Sequence, residues 1–235
     1  MNIKKPIFNL KREKKGQSLI ELTLVLMLLL TLLTGMVEFG NLLNQYINIV
    51  DGAREGARQG SNMDPFPRKA TATCPIPPCF NELNSDFYAG IDQYIEGNNI
   101  PLSKDRDPKA TGAIAPIKLD PMAGDDVLIS VFSIADGKVT RFPKGYDNGW
   151  SYYRDYEKLP IPVEKQNTTQ FPGDSLNGRM VAGAPDTGML LVEVFYHYHQ
   201  LLKFFGILGL PDPIALSTYA IMPLSAAEPT STPVP

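Results

Sequence analysis

The sequence predicts an α+β protein whose long N-terminal helix crosses a membrane and then packs against an antiparallel β-sheet outside it. Three observations carry this prediction. A basic block precedes an uncharged apolar run at 22–37, helical periodicity continues past that run, and strand patterns occur only after residue 126. The 19 Gly and 21 Pro among 235 residues favour a loop-rich architecture over an all-helical bundle.

Charge is unevenly distributed along the chain. Residues 1–16 contain six Lys or Arg side chains and a single acid, whereas the whole chain has a formal net charge of −3. Because no basic excess is available to neutralise phosphates, no nucleic-acid partner is expected. A basic block directly before an apolar run indicates a cytoplasmic N-terminus, so we expect the C-terminal domain to be extracytoplasmic.

The apolar run 22–37 predicts a single membrane-spanning helix. Its 16 residues would extend about 24 Å, and apolar neighbours on both sides bring this length close to the roughly 30 Å of a bilayer core. Leu residues on every face disfavour a buried helix of a soluble protein. Continued helical periodicity after the run disfavours a cleaved secretory signal peptide and predicts one helix from about Ser18 to about Gly60. Its apolar positions beyond the run are Phe39, Leu43, Tyr46, Val50, Ala53 and Ala57.

A glycine and a glutamate mark the junction between the basic block and the apolar run. Gly16 is followed by Gln17, and Glu21 is the fifth residue after the glycine. This arrangement resembles the processing site of type IV pilin-like precursors. The resemblance implies that residues 1–16 are a basic leader, that a prepilin-type peptidase cuts after Gly16, and that Gln17 becomes the new N-terminus, with its methylation left open.

Glu21 needs a partner at membrane depth. In a filament its carboxylate would pair with the new amino group of a neighbouring Gln17, so that neither charge is buried alone. The alternative is a Glu that lies at the membrane interface.

A second group of motifs follows the apolar run. Glu38-Phe39-Gly40 precedes Asp51-Gly52 and the string Ala-Arg-Glu-Gly-Ala-Arg at 53–58. After a short leader and a Glu-bearing apolar helix, these motifs resemble the TadE-like family of tight-adherence (Flp-type) pilus assembly proteins, the minor pseudopilins. The resemblance is strong only over residues 1–60. It implies a structural component of a pilus or related secretion or adhesion filament, with the membrane, a prepilin-type peptidase, other pilus subunits and the assembly platform as partners.

Gly52, Gly56 and Gly60 recur every fourth residue at the outer end of the predicted helix. They remove side-chain bulk from one face, so that another backbone can approach closely. Two partners for this face remain open: the globular domain of the same chain, and a neighbouring subunit.

Residues 61–126 are predicted to be mostly loop, because Pro and Gly interrupt them repeatedly. The stretch 84–95 is an exception and predicts a short helix. Its apolar positions and cap candidates are Phe87, Ile91 and Ile95, with Ser85 or Asn84.

Cys74 and Cys79 flank a proline-rich turn in this segment. In an exported domain, two cysteines at this spacing are expected to form a disulfide that closes a small surface loop. A metal site would need further Cys or His ligands and is the less favoured alternative.

The region 127–224 is predicted to form the antiparallel sheet. The dipeptide Asp136-Gly137 is typical of a hairpin turn between its first two strands. Four runs have β-branched or alternating apolar residues: 127–134, 138–142, 189–199 and 215–222.

Two stretches of this region depart from the strand pattern. The Gly-, Pro-, Asn- and Tyr-rich stretch 143–188 is interpreted as an insertion. Its aromatic cluster is expected to be buried beneath it, the alternative being a surface for a glycan or a partner. The cluster consists of Trp150, Tyr152, Tyr153 and Tyr156. Leu224 and residues 225–235 are predicted to be a disordered Ser/Thr/Pro tail with no core to join.

The chain offers no clear catalytic constellation. Glu193, His197 and His199 share one face of a predicted strand, a trio that zinc could bind, but the polar face of a half-buried strand is the favoured interpretation. No nucleophile elbow or phosphate-binding loop occurs in the sequence. We therefore expect a protein that is not an enzyme and that uses no cofactor or metal.

Two functions remain. The first is a pseudopilin-like filament component that is processed after Gly16. The second is a single-pass, membrane-tethered extracytoplasmic binding domain that is neither cleaved nor assembled.

Overall fold

The computed structural model describes residues 15–67, 82–96, 117–181, 183, 185–207 and 209–229. A long N-terminal helix packs against one side of a five-stranded antiparallel sheet. The predicted α+β fold is therefore confirmed.

Helix α1 extends from Lys15 to Ser61, a length of 47 residues, which corresponds to about 70 Å. Its sequence contains no Pro and is rich in Leu, a strong helix former, so no residue breaks the helical hydrogen bonds. The chain leaves the helix just before Asp64-Pro65, where a proline restricts the preceding residue to extended conformations.

The sheet has the strand order β2-β1-β4-β5, and the short strand β3 pairs with β1 beside β2. The predicted hairpin turn lies between β1 and β2, with positive φ at both Asp136 (50°) and Gly137 (69°), which suits a tight two-residue connection. The strand bounds are β1 Asp126–Ala135, β2 Lys138–Phe142, β3 Trp150–Ser151, β4 Thr187–Tyr198 and β5 Ile214–Pro223.

The core lies between the sheet, the outer half of α1 and helix α2, Ser85–Ile95. Alternate residues of β1 and β4 face this core, as expected for strands with one face against a helix. The fully buried ones are Val127, Ile129, Val131, Leu190, Val192 and Val194. The helix predicted at 84–95 is confirmed, but the Asn84 side chain donates to the Asp64 carbonyl at 2.8 Å and makes no cap bond.

The stretch 143–188 holds β3, a helical turn at Tyr152–Tyr156, a short turn at Val163–Lys165 and helix α3, Gly173–Asn177. Trp150 is fully buried, with its ring centroid 5.2 Å from that of Tyr88 on α2. Tyr152 and Tyr153 are also buried, whereas Tyr156 is exposed. Burial of the aromatic cluster is thus confirmed except at Tyr156.

The segment directly after β5 contradicts the prediction of a disordered tail. Leu224 and Ala227 are buried in the core, and the Leu224 amide donates to the Gly188 carbonyl at 2.9 Å. Because Gly188 has no side chain, the backbone after β5 can lie directly on β4: an added Cβ would meet the Leu224 carbonyl oxygen. The prediction of a tail with no core to join is therefore wrong for residues 224–227.

Candidate functional site

The first part of α1 is largely uncovered by the residues that the structure describes. Between Leu19 and Val37 its large apolar side chains are 47–73% exposed. An 18-residue window here has a mean hydropathy of 2.3, and none of it is buried. A helix of this length that is apolar on every side fits the hydrocarbon of a bilayer and indicates a single-pass membrane protein.

Hydroxyl groups in this part of the helix are internally satisfied. The side chains of Thr23, Thr31 and Thr34 each donate to the carbonyl four residues earlier, at 2.8 Å. An unpaired donor would be costly in hydrocarbon, so this back-bonding makes the three residues compatible with a lipid environment.

The proposed processing residues lie at the start of α1. Gly16 is exposed, and a side chain added there would meet no atom within 4 Å. Gln17 follows in the same turn, and Glu21 is exposed about one turn further along. None of the other residues that the structure describes covers Gly16.

Glu38 is the centre of a buried polar cluster where α1 meets the sheet. Its side chain is fully buried. The Tyr198 hydroxyl donates to Oε1 at 2.7 Å, as does the Leu201 amide at 2.8 Å, and the Leu202 amide donates to Oε2 at 2.6 Å. Asn41 in turn donates to the Tyr198 hydroxyl oxygen at 3.0 Å. Three donors on one carboxylate offset the cost of its burial.

This cluster fastens the connection between β4 and β5 to the helix. We call residues 199–213 the β4–β5 loop; it includes the short helix α4, Phe204–Ile207. The Phe204 ring lies against α1 at Gly35, where an added Cβ would come within 2.9 Å of it. The loop thus reaches the outer end of the apolar run.

The three predicted packing glycines face side chains of their own chain. An added Cβ would lie 2.6 Å from Ile117 at Gly52 and 2.6 Å from Ile95 at Gly56. At Gly60 it would lie 2.5 Å from both Ile91 and Leu190. The glycine face therefore lies against α2, β4 and the segment before β1.

Another face of α1 stays exposed beyond the apolar run. Phe39, Leu43, Tyr46 and Ile47, which we call the outer stripe, are 40–57% exposed, and their spacing places them on one side of the helix. Ala53 and Ala57, predicted to continue that face, are buried because the domain surrounds the helix more fully at its distal end, where α2 packs.

The Arg-Glu-Gly-Ala-Arg part of the motif at 54–58 has a visible structural role. Arg58 donates to Glu55 from Nε at 2.8 Å. Tyr94 of α2 also donates to Glu55, at 3.2 Å. These contacts hold α2 against the distal turns of α1.

Two carboxyl groups are buried between α2 and β1. Asp92 is fully buried, and neither of its oxygens has a hydrogen-bond partner among the described residues. Burial, reinforced by the charge of Glu96, raises its pKa well above the usual range. Burial also raises the pKa of Asp126 to about 7, although the Ser151 hydroxyl donates to it at 2.8 Å.

The raised pKa of Asp126 predicts a stability that falls as pH rises. Between about pH 4 and about pH 7 the folded chain keeps a proton that the unfolded chain releases, so this group lowers stability by at most about 1.4 kcal/mol per pH unit. Asp126→Asn is neutral at every pH and keeps a carbonyl acceptor for Ser151. We expect this variant to gain stability relative to wild type between about pH 5 and about pH 7.5 in denaturant titrations. The control is Asp86→Asn, which removes an exposed carboxylate of α2; an equal gain there would refute the assignment.

The three residues predicted as a possible zinc site, Glu193, His197 and His199, each interact with a different partner. Glu193 accepts from the Thr169 hydroxyl at 2.6 Å and from the Gln170 amide at 2.8 Å. His197 lies 3.1 Å from Asp125, and His199 lies 3.7 Å from Asp212. Within the described residues no group of three or more His, Cys, Asp or Glu is arranged to hold a metal ion. Cys74 and Cys79 lie outside those residues, so their disulfide stays a prediction.

The sequence motif Glu38-Phe39-Gly40 identified Glu38 but not its partners. Tyr198 and the two loop amides are about 160 residues away along the chain. The one local signal was the apolar string Leu-Leu-Lys-Phe-Phe-Gly-Ile-Leu-Gly-Leu at 201–210, separated by two residues from the end of β4.

Comparison with known proteins supports the motif assignment. The family model described as TadE-like protein matches residues 16–58. The suspected resemblance is therefore confirmed over the part of the chain that contains the apolar run, Glu38 and the glycine face. No curated protein and no solved structure gives a significant match.

Proposed function

We propose that this chain is a pseudopilin-like structural component of a tight-adherence (Flp-type) pilus or a related secretion or adhesion filament. The proposal starts from its N-terminal segment, which matches the TadE-like family model and forms a helix long enough to span a membrane. The family match suggests a part in the assembly of such a pilus. In this proposal the leader is cytoplasmic, the sheet domain is extracytoplasmic, and the chain has a structural role.

The observation that carries the proposal is the shape of α1. A single helix of 47 residues has a bare apolar half and an outer half that the domain covers on one side only. Such a helix can be drawn out of a bilayer and packed beside copies or relatives of itself, because its apolar surface fits lipid and neighbouring helices equally well.

The outer stripe supports assembly. It lies beyond the uncharged run, where a monomer would expose it to water. Contiguous exposed apolar side chains commonly mark interaction sites. A neighbouring helix of the same assembly would cover Phe39, Leu43 and Tyr46.

Processing after Gly16 is the most direct test. Co-expression with an active prepilin-type peptidase should remove the 16-residue leader, so that intact mass measurement finds a chain beginning at Gln17. Gly16→Leu should abolish this cleavage, because the side chain obstructs the residue before the scissile bond. Glu21→Ala should be cleaved but should assemble poorly, because it leaves the amino group of a neighbouring Gln17 unpaired in an apolar setting.

Gly40→Leu is the matched control, since Gly40 is another exposed glycine of α1 with no atom within 4 Å of an added Cβ. This variant should be cleaved like wild type. An unchanged mass of the wild-type chain with active peptidase would contradict processing and leave the permanently tethered binding domain as the better description.

A further inference from the structure

The β4–β5 loop exposes an apolar surface beside the apolar helix. Leu201 is 65% exposed, Leu202 48% and Leu210 49%. Between His199 and Asp212 the sequence contains one charged side chain, Lys203. A cluster of leucines on the surface of a domain is unusual in water and indicates a contact with another apolar phase.

The position of the loop along α1 indicates that this apolar phase is the hydrocarbon of the bilayer. A hydrocarbon core of roughly 30 Å needs about 20 helical residues, so a span that starts as early as Ser18 still extends to about Val37. Phe204 contacts the helix at Gly35, inside that span. The leucine amides are held by Glu38, one residue beyond it. The loop therefore lies at the boundary where α1 leaves the hydrocarbon.

Several backbone groups in the described part of the loop are hydrogen-bonded within the loop, which lowers the cost of a lipid environment. Gly206 donates to the Lys203 carbonyl at 3.2 Å, and Leu210 donates to the Phe205 carbonyl at 3.0 Å. The Gln200 side chain donates to the Pro211 carbonyl at 2.9 Å and accepts from Gly206 at 3.2 Å. Leu201, Leu202 and Leu210 are the exposed leucine side chains in the described part of the loop.

We propose that the β4–β5 loop inserts Leu201, Leu202 and Leu210 among the acyl chains of the leaflet from which α1 emerges. This proposal rests on the membrane anchoring of α1 in the proposed function. The long stem of the exposed Lys203 allows its ammonium group to reach the phosphate headgroups while the neighbouring leucines enter the acyl region. Because Glu38 binds the loop to α1, the domain then contacts the bilayer through two adjacent elements, the helix and the loop.

Contact quenching by lipids tests this insertion in the full-length chain. Single cysteines replace Leu201 or Leu210 in separate variants in which Cys74 and Cys79 are Ser, and each is labelled with an environment-sensitive fluorophore. The proteins are reconstituted in phosphatidylcholine vesicles, with or without lipid that carries a nitroxide near the glycerol end of its acyl chain. Protein is kept dilute enough that most vesicles hold a single chain. We expect the nitroxide lipid to lower the loop emission by about twofold or more, as for groups inserted roughly 5–10 Å below the headgroup boundary.

Two further positions make the outcomes distinguishable. Leu33→Cys, on the exposed part of α1 about one turn inside the outer boundary of the span, should be quenched whenever α1 spans the bilayer. Lys138→Cys, on β2 at the far end of the sheet, should not be quenched. Buried-Trp150 emission identical to that of the unlabelled chain checks that each variant is folded.

Quenching at Leu33 without quenching at either loop position would overturn the loop proposal and keep the anchor. Absence of quenching at all positions would overturn both. Loop emission that shifts to the blue only at high protein density, without nitroxide quenching, would show that another copy of the chain covers the loop and would also overturn the proposal.

Discussion

Glu38→Ala is expected to lower the free energy of unfolding of the sheet domain by about 3 kcal/mol, because it leaves buried donors without an acceptor. In wild type, the Tyr198 hydroxyl and the amides of Leu201 and Leu202 all donate to this carboxylate at 2.6–2.8 Å. Alanine removes every acceptor at once. Emission from Trp150, the single tryptophan and fully buried, reports unfolding of the domain in a denaturant titration of the full chain in detergent.

Graded variants separate loss of these hydrogen bonds from a general effect of mutating the helix. Glu38→Gln keeps one carbonyl oxygen but points an amide N–H₂ at one of the donors. Its free energy of unfolding should therefore lie between those of wild type and Glu38→Ala. Tyr198→Phe removes one donor of the three and should cost about 1 kcal/mol. Asn44→Ala, on the exposed side of the same helix, should stay within about 0.5 kcal/mol of wild type.

Glu38→Ala should also speed hydrogen exchange at the amides of Leu201 and Leu202, because they lose the carboxylate that accepts their hydrogen bonds. Equal stabilities for Glu38→Ala and Asn44→Ala would show that water replaces the carboxylate without cost, and the cluster would then have no structural role.

The elements that sequence predicts here are those whose signal is local. A run without charges predicts helix α1, and apolar residues at helical spacing predict α2. The dipeptide Asp136-Gly137 predicts the first hairpin. Each of these patterns is complete within about 16 neighbouring residues or fewer, so no knowledge of tertiary contacts is needed.

The features that sequence missed depend on residues far apart in the chain. The acceptor role of Glu38 depends on a tyrosine about 160 positions away. The burial of Leu224 depends on the missing side chain of Gly188 on a different strand. A Ser/Thr/Pro-rich composition describes the average of a tail and says nothing about one leucine that fits a gap in the sheet.

The glycine face is intermediate between these cases. Its spacing showed that something packs closely on α1, but a close approach by the same chain and one by a neighbouring subunit leave the same sequence pattern. The choice follows from where α2 lies, because Ile91 and Ile95 fill the space beside Gly56 and Gly60.

Gly56→Leu is accordingly expected to lower the free energy of unfolding by about 2 kcal/mol. Two effects of opposite sign compete. Leucine raises helix propensity by about 0.8–1 kcal/mol, whereas overpacking a filled core costs typically about 1–3 kcal/mol and more when the neighbour cannot move. The clash prevails because the added Cβ alone would lie 2.6 Å from Ile95 Cγ1, an atom in the middle of its side chain, and 3.5 Å from Ile91.

Gly40→Leu is the control for helix propensity, because its added side chain meets nothing within 4 Å. It should be as stable as wild type or slightly more stable, by up to about 1 kcal/mol. Trp150 unfolding curves of the two variants, recorded on the full chain in the same detergent, should therefore move in opposite directions from wild type. If Gly56→Leu is also stabilised but no longer forms a complex with co-expressed pilus subunits, the close contact at Gly56 is between subunits, and packing of this face on α2 of the same chain is wrong.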